Sequence, residues 1–468
     1  MVALSDRKIE IVRTLVESAP DKIVGGLQRA LADTNGDTVL ASVRQIVETE
    51  TRDRLLRNAV FQPVAPLCVG DGSDKNSLVF PARALSCIWS GLKAQVPAEV
   101  AAAAKVSAEA ATAVATGRRA PDPNAAFDSL VRLTADALRS GDQRDFRAAA
   151  EICDRARPGG AETLAACLDI APVVRRAIAR LPEWVAHASG DTNAGARLAY
   201  KDSVAIADDA GPRFFEMLAA QLTPPWMVLR IISAVMDKPT ERYLADSEVG
   251  GFPERVMNAI DEELKAIAGM DLDAGPEAGR AAGRLVDLIT QQVFELEVCI
   301  ELTRESGWGR RILEQKQSLA SVVEARLRDA DKLSTAALPL QSSSRFSRPR
   351  KTGPKLDTPP DSKAVGRTMT LLHFAHEIRR GANHGGFSAA HAKAMEKIGG
   401  MIDHYVDEVL DHIRTGDVED LKIAHAYLRA AADFNGLVRD NKAAELLRRR
   451  AATACEADSP QPLKPKAG

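Results

Sequence analysis

Seven of the chain's eight histidines fall between His373 and His425, a window of 53 residues in a chain of 468. Histidine is the commonest protein metal ligand and the side chain whose charge ordinarily changes near neutral pH. Such a cluster therefore points to metal binding or to proton-linked behaviour. Its densest part is LLHFAHEIRRGANHGG, starting at Leu371 and carrying His373, His376 and His384. His391, His404, His412 and His425 follow. A zinc helix of the HExxH type needs a second histidine four residues after the first, and that place after His376 is Arg380.

Helical phase sorts these histidines. From Ser388 to Arg414 one apolar stripe runs through Met395, Ile398, Met401, Ile402, Tyr405, Val406, Val409 and Ile413. The spacing predicts a single long helix through Gly399-Gly400, ending near Gly416. His404, Glu408 and His412 recur at i, i+4 and i+8, a spacing that lets neighbours share a divalent transition metal. They lie opposite the stripe, whereas di-iron bundles project their ligands inward. His373 and His376 likewise lie opposite Leu371, Leu372, Phe374, Ala375 and Ile378. Two histidines break the pattern. His391 aligns with Met395, Ile398 and Ile402, and His425 aligns with Leu421, Ala424 and Leu428. Both are expected to face inward, where an imidazole needs a hydrogen-bond partner or a ligand. The expectation is a hydrogen-bonded core and no resident cofactor, with a divalent metal at His391 and His425 as the alternative.

A second chemistry resides in the basic stretch SRFSRPRKTGPK. Arg345, Arg348, Arg350, Lys351 and Lys355 form an arm suited to phosphates, with salt-dependent affinity. A nucleic-acid partner is thereby possible but not favoured. No GxxxxGK[ST] loop occurs, no GxGxxG follows a strand, and no strand offers the context of a nucleophile elbow. The six cysteines are scattered without a CxxC pair, which argues against zinc knuckles and a disulfide framework.

The elements that must position these residues are almost all helical. Nearly every periodic segment repeats at 3.6 residues, and turns such as GRRAPDPN (117–124), RPGG (157–160) and TPPW (223–226) separate them. The fold class expected is all-α: an irregular array of helical hairpins followed by a tethered C-terminal helical bundle. Composition places helical domains at 1–117 and 118–340, with the two continuous as one domain as the alternative, a disordered basic Pro/Ser linker at 341–363, the histidine-bearing module at 364–455 and a disordered tail at 456–468. A net charge of −2 gives no global pull toward nucleic acid or anionic membrane, and aromatics at 4% are too scarce for extended stacking platforms. The alanine run from Ala98 is broken by Lys105 and Glu109, so no membrane span is expected, and the N-terminus lacks the pattern of a signal peptide. These features suggest a non-enzymatic cytoplasmic interaction or regulatory protein. It would bind a protein partner, or itself, through amphipathic helices.

Overall fold

The computed structural model describes residues 6–19, 21–32, 38–72, 77–186, 190–305, 307–342, 352–383 and 385–457. The protein is all-α; among the described residues the regular strands are one short hairpin. No described helix is long and apolar enough to cross a membrane. Two compact units divide the chain between Lys238 and Pro239.

The first unit contains α1 (Asp6–Ser18), α2 (Asp21–Ala32), α3 (Thr38–Val60), α4 (Ala82–Gln95), α5 (Pro97–Ala115) and α6 (Asn124–Ser140). It continues with α7 (Arg144–Ala156), α8 (Gly160–Ile178), α9 (Leu181–Val185), α10 (Gly190–Val204), α11 (Ala210–Ala219) and α12 (Val228–Met236). The sequence punctuation explains several of these limits. Pro97 opens α5 at a position whose N–H would have no helical partner. Gly141 ends α6 in the left-handed conformation, with φ 61°, where its amide closes on Ala137. At the centre lies α8, whose Leu164, Cys167, Leu168, Ile170, Ala171 and Val174 are buried against α6, α7, α10 and α11.

Arg175 is also buried on α8. Its guanidinium donates to Asp128 Oδ1 at 3.0 Å and to the carbonyls of Ala59 and Val60 at 2.7 and 2.5 Å. These carbonyls belong to the last turn of α3, where helical partners run out, so the cation meets both the free acceptors and the negative end of the helix. Burial pulls the Arg175 pKa down, and the bond to Asp128 opposes it.

The second unit contains α13 (Glu241–Ala245), α14 (Gly251–Ala268), α15 (Pro276–Cys299), α16 (Gly307–Ala337), strands β1 (Leu340–Ser342) and β2 (Thr352–Pro354), α17 (Ser362–Glu377), α18 (Ser388–Thr415), α19 (Leu421–Val438) and α20 (Asn441–Ala457). α16 begins on a buried carboxylate. Glu241 accepts from the amides of Thr303 at 3.1 Å, Trp308 at 2.5 Å and Gly309 at 3.3 Å. A negative group there satisfies amides of the first turn and complements the helix dipole.

α15 and α17 cross at close range. A Cβ on Gly279 would stand 2.0 Å from the Thr370 carbonyl oxygen, and one on Gly283 would stand 2.5 Å from Glu377 Cβ. Only hydrogen at both positions lets the two backbones approach this far.

Packing divides the chain differently from composition. The helices of 364–455 do not stand apart: α17 packs on α15 and α16, α18 packs on α16, and Lys397 pairs with Asp331 at 2.6 Å. Nor does a boundary at 117 separate compact units, since α5 and α6 belong to the same one. The described ends of the 341–363 stretch are ordered. β1 pairs antiparallel with β2 in the register Leu340↔Pro354, Gln341↔Gly353 and Ser342↔Thr352. The Lys355 amide donates to the Pro339 carbonyl at 3.0 Å, and β2 lies against α18. These tertiary contacts supply the burial that the local composition lacks. Residues 343–351 and the tail from 458 lie outside the described residues.

Candidate functional site

The histidine-bearing stretch forms the hub of the second unit. α17 turns its apolar face inward, burying Leu371, Leu372, Phe374 and Ala375, and its histidines reach α15 and α19. His373 is half-buried, and its Nδ1 accepts from the Arg280 guanidinium of α15 at 3.2 Å. His376 Nδ1–H donates to the Leu437 carbonyl at 3.1 Å. Arg379 donates to the carbonyls of Val438 at 2.7 Å and Arg439 at 3.2 Å. His376 and Arg379 together thus close the C-terminus of α19, donating to carbonyls of its last turn and of the residue after it.

His391 faces inward on α18, as its phase predicts. It is 6% exposed, and its Nε2–H donates to the Ala375 carbonyl at 2.8 Å. Burial pushes its pKa below the ordinary value, the bond to Ala375 opposes this, and Arg379 and His376 push it further down. Burial lowers the His373 pKa too, helped by Arg280.

His425 does not join His391 inside; it is exposed. Leu421, Ala424 and Leu428 alone put the buried stripe of α19 too close to residue 425. Tyr427, Ala431, Phe434 and Val438 are also buried, and they rotate the stripe away from it. The largest side chains, not the first few, decide which face is covered.

The outward triplet is divided as well. His404 is exposed, while His412 Nδ1–H donates to the Glu408 carbonyl at 2.8 Å, within its own helix. The His412 ring lies beside β2, 3.2 Å from where a Cβ on Gly353 would stand. Among the described residues no three His, Cys, Asp or Glu side chains converge as a metal-holding group. His384 lies outside the described residues, as do Arg345, Arg348, Arg350 and Lys351 of the basic arm; Lys355 is described and half-buried. Two nearby acidic residues are also engaged: Asp273 binds Arg367 through two bonds of 2.7 and 2.6 Å, and Asp271 caps the short turn Leu272–Ala274. Both have structural work.

A surface without such work lies at the other end of the chain. α1 and α2 both pack on α3 around Val16, Val24, Leu31 and Val47, with Val12, Ala19, Val43 and Ile46 at the margin. Ile11 and Leu15 stand one turn apart on α1 and are 52% and 62% exposed; Ile23 and Leu27 repeat the spacing on α2 at 54% and 38%. A cleft of about 450 Å³ between α1, α3 and α4 is lined by Ile9, Arg13, Ile46, Glu50, Asp53 and Lys93. Its carboxylate Asp53 accepts from Trp89 Nε1 at 2.9 Å and Lys93 Nζ at 2.8 Å. The signal was present in the sequence. Ile9, Ile11, Val12, Leu15 and Val16 make a stripe wider than the face that α3 covers. Comparison with protein-family models, with curated proteins and with solved structures finds no match.

Proposed function

We propose that the protein is a non-catalytic binding protein of the cytoplasm whose N-terminal helices dock an amphipathic segment of a protein partner. The observation that carries this reading is the pair of aliphatic stripes, Ile11–Leu15 and Ile23–Leu27, exposed on helices that already have a core. Aliphatic side chains at helical spacing are the anchors by which a second helix is held. Scattered single apolar residues would carry no such meaning; repeated one-turn pairs on consecutive helices do. The five free cysteines among the described residues support a reducing compartment.

The test is a double substitution in the full chain, Leu15→Glu with Ile23→Glu. Proteins retained by the wild type are to be identified by cross-linking and mass spectrometry, then titrated one by one. The expected result is at least a tenfold loss of affinity for the specific partner, with a melting temperature within a degree or two of wild type. Unchanged binding of every partner by the variant overturns the reading.

The histidines carry a separate expectation. A histidine whose folded pKa is depressed takes up protons first in the unfolded chain, whose ordinary value is about 6.5. The contribution of His391 to the second unit is therefore constant above that value. It is lost as pH falls from about 6.5 toward the depressed folded value. Replacing His391 by glutamine keeps a donor for Ala375 and removes the charge change. The difference in melting temperature between the two proteins should widen from pH 7.5 to 5.5 in favour of the variant. A constant difference across that range contradicts it.

A further inference from the structure

The α15–α17 crossing holds a half-buried carboxylate, one of whose oxygens nothing satisfies. Asp287 Oδ1 is buried and meets no hydrogen-bond partner. It lies one turn beyond Gly283, and a Cβ on Gly381, just after α17, would stand 2.1 Å from it. The backbone thus closes over the oxygen from the facing helix. Glu377 of α17 lies against Gly283, one turn back along the same seam, so two carboxylates share one helix crossing.

Each carboxylate of this pair has an arginine near it: Arg380 acts on Asp287, and Arg284 acts on Glu377 as well as on Glu277. Glu377 at the end of α17 and Arg380 just after it act on Asp287 with opposite signs. On its own helix, Arg284 is bound to Glu277 at 2.7 Å. From α14, Glu263 is held by Gln292 at 3.3 Å, and from α16, Lys316 is held by Glu297 at 2.8 Å, farther along α15. His373 lies toward Arg280, and His391 lies beneath Ala375 on the side of α18.

We propose that Asp287 is a proton-operated latch on the α15–α17 crossing, whose neutral carboxyl favours the closed helices and whose ionised carboxylate favours their parting. A carboxyl with one oxygen buried and no donor facing that oxygen favours its neutral form, because it is the charged form that suffers from burial and from the nearby Glu377. Burial is the larger cause that raises the Asp287 pKa above its ordinary value, and Glu377 is the second. Closing therefore takes up a proton. Acid tightens the crossing and alkali loosens it, over the range between the ordinary and the raised value. This is opposite in sign to the effect of His373 and His391. Because α17 also holds α18 through His391 and α19 through His376 and Arg379, loosening this crossing unties the hub of the unit.

The test is hydrogen exchange by mass spectrometry on the full chain from pH 5.5 to 8, corrected for the intrinsic pH dependence of exchange. Asp287→Asn imitates the neutral carboxyl. At pH 8 its α15 and α17 peptides are expected to exchange several-fold more slowly than wild type. Their remaining slope with pH should be that of the histidines alone. Glu377→Gln, which removes the repelling charge, should act in the same direction by a smaller factor. Exchange at pH 8 that is equal or faster in D287N overturns the proposal. Failure of D287N to fold overturns it also, since asparagine has the shape of the protonated acid.

Discussion

Gly279→Ala is expected to destabilise the second unit by on the order of 3 kcal/mol, although alanine is the better helix former by about 1 kcal/mol. The added Cβ would stand 2.0 Å from the Thr370 carbonyl oxygen and 3.1 Å from the Phe374 amide nitrogen. Both are backbone atoms, so no side chain can swing aside; α15 and α17 must separate. Separation uncovers apolar surface along both helices, including Ala282 and Val286 on one and Leu371 and Phe374 on the other. Gly400→Ala on α18 is the control, because nothing lies within 4 Å of its added Cβ. It should stabilise by about 0.5–1 kcal/mol, the helix propensity difference alone. Urea unfolding followed by hydrogen exchange of α15 and α17 peptides measures both. Equal effects of the two substitutions would mean that the crossing is not held by close backbone approach.

The same glycine shows where sequence reasoning stops. Within GMDLDAGPEAG, glycine signals turns, and Gly275 does stand outside a helix, before α15. Gly279 lies inside α15, and nothing local distinguishes it from a turn glycine, because its role is defined by a helix 91 residues later. What local periodicity determines was legible. The helix expected over 388–414 is observed as Ser388–Thr415, and its stripe is buried at Met395, Ile398, Ile402, Tyr405, Val406, Val409 and Ile413. His391 lies inside because it shares that stripe. His425 failed because a phase fixed on three residues of α19 ignored Tyr427 and Phe434 farther along. The division at Lys238 leaves no mark in composition, since it follows from long-range packing. The Pro/Ser stretch was legible as poorly apolar, but pairing of β2 with β1 and its contact with α18 are tertiary.

In the first unit the largest effect is expected at Arg175. Arg175→Met should cost about 3–5 kcal/mol, the range for removing one partner of a buried ion pair. The loss has two parts. Asp128 keeps only Arg176, which is 4.0 Å away and largely exposed, so its carboxylate stays buried without the donor built for it. The carbonyls of Ala59 and Val60 also lose their donors at the end of α3. Arg175→Lys should fall between, because one ammonium cannot reach three acceptors that a planar fork meets together. Adding Asp128→Leu to Arg175→Met separates the parts. The double variant should recover the share due to the stranded carboxylate, while the carbonyls remain unmet. Urea midpoints of the wild type, Arg175→Met, Asp128→Leu and the double variant give the coupling directly. Additive losses would place the cost in the carbonyls of α3. A loss below about 1 kcal/mol for R175M would mean that water enters and replaces the guanidinium, which the 5.3 Å stacking of Arg175 over Phe127 argues against.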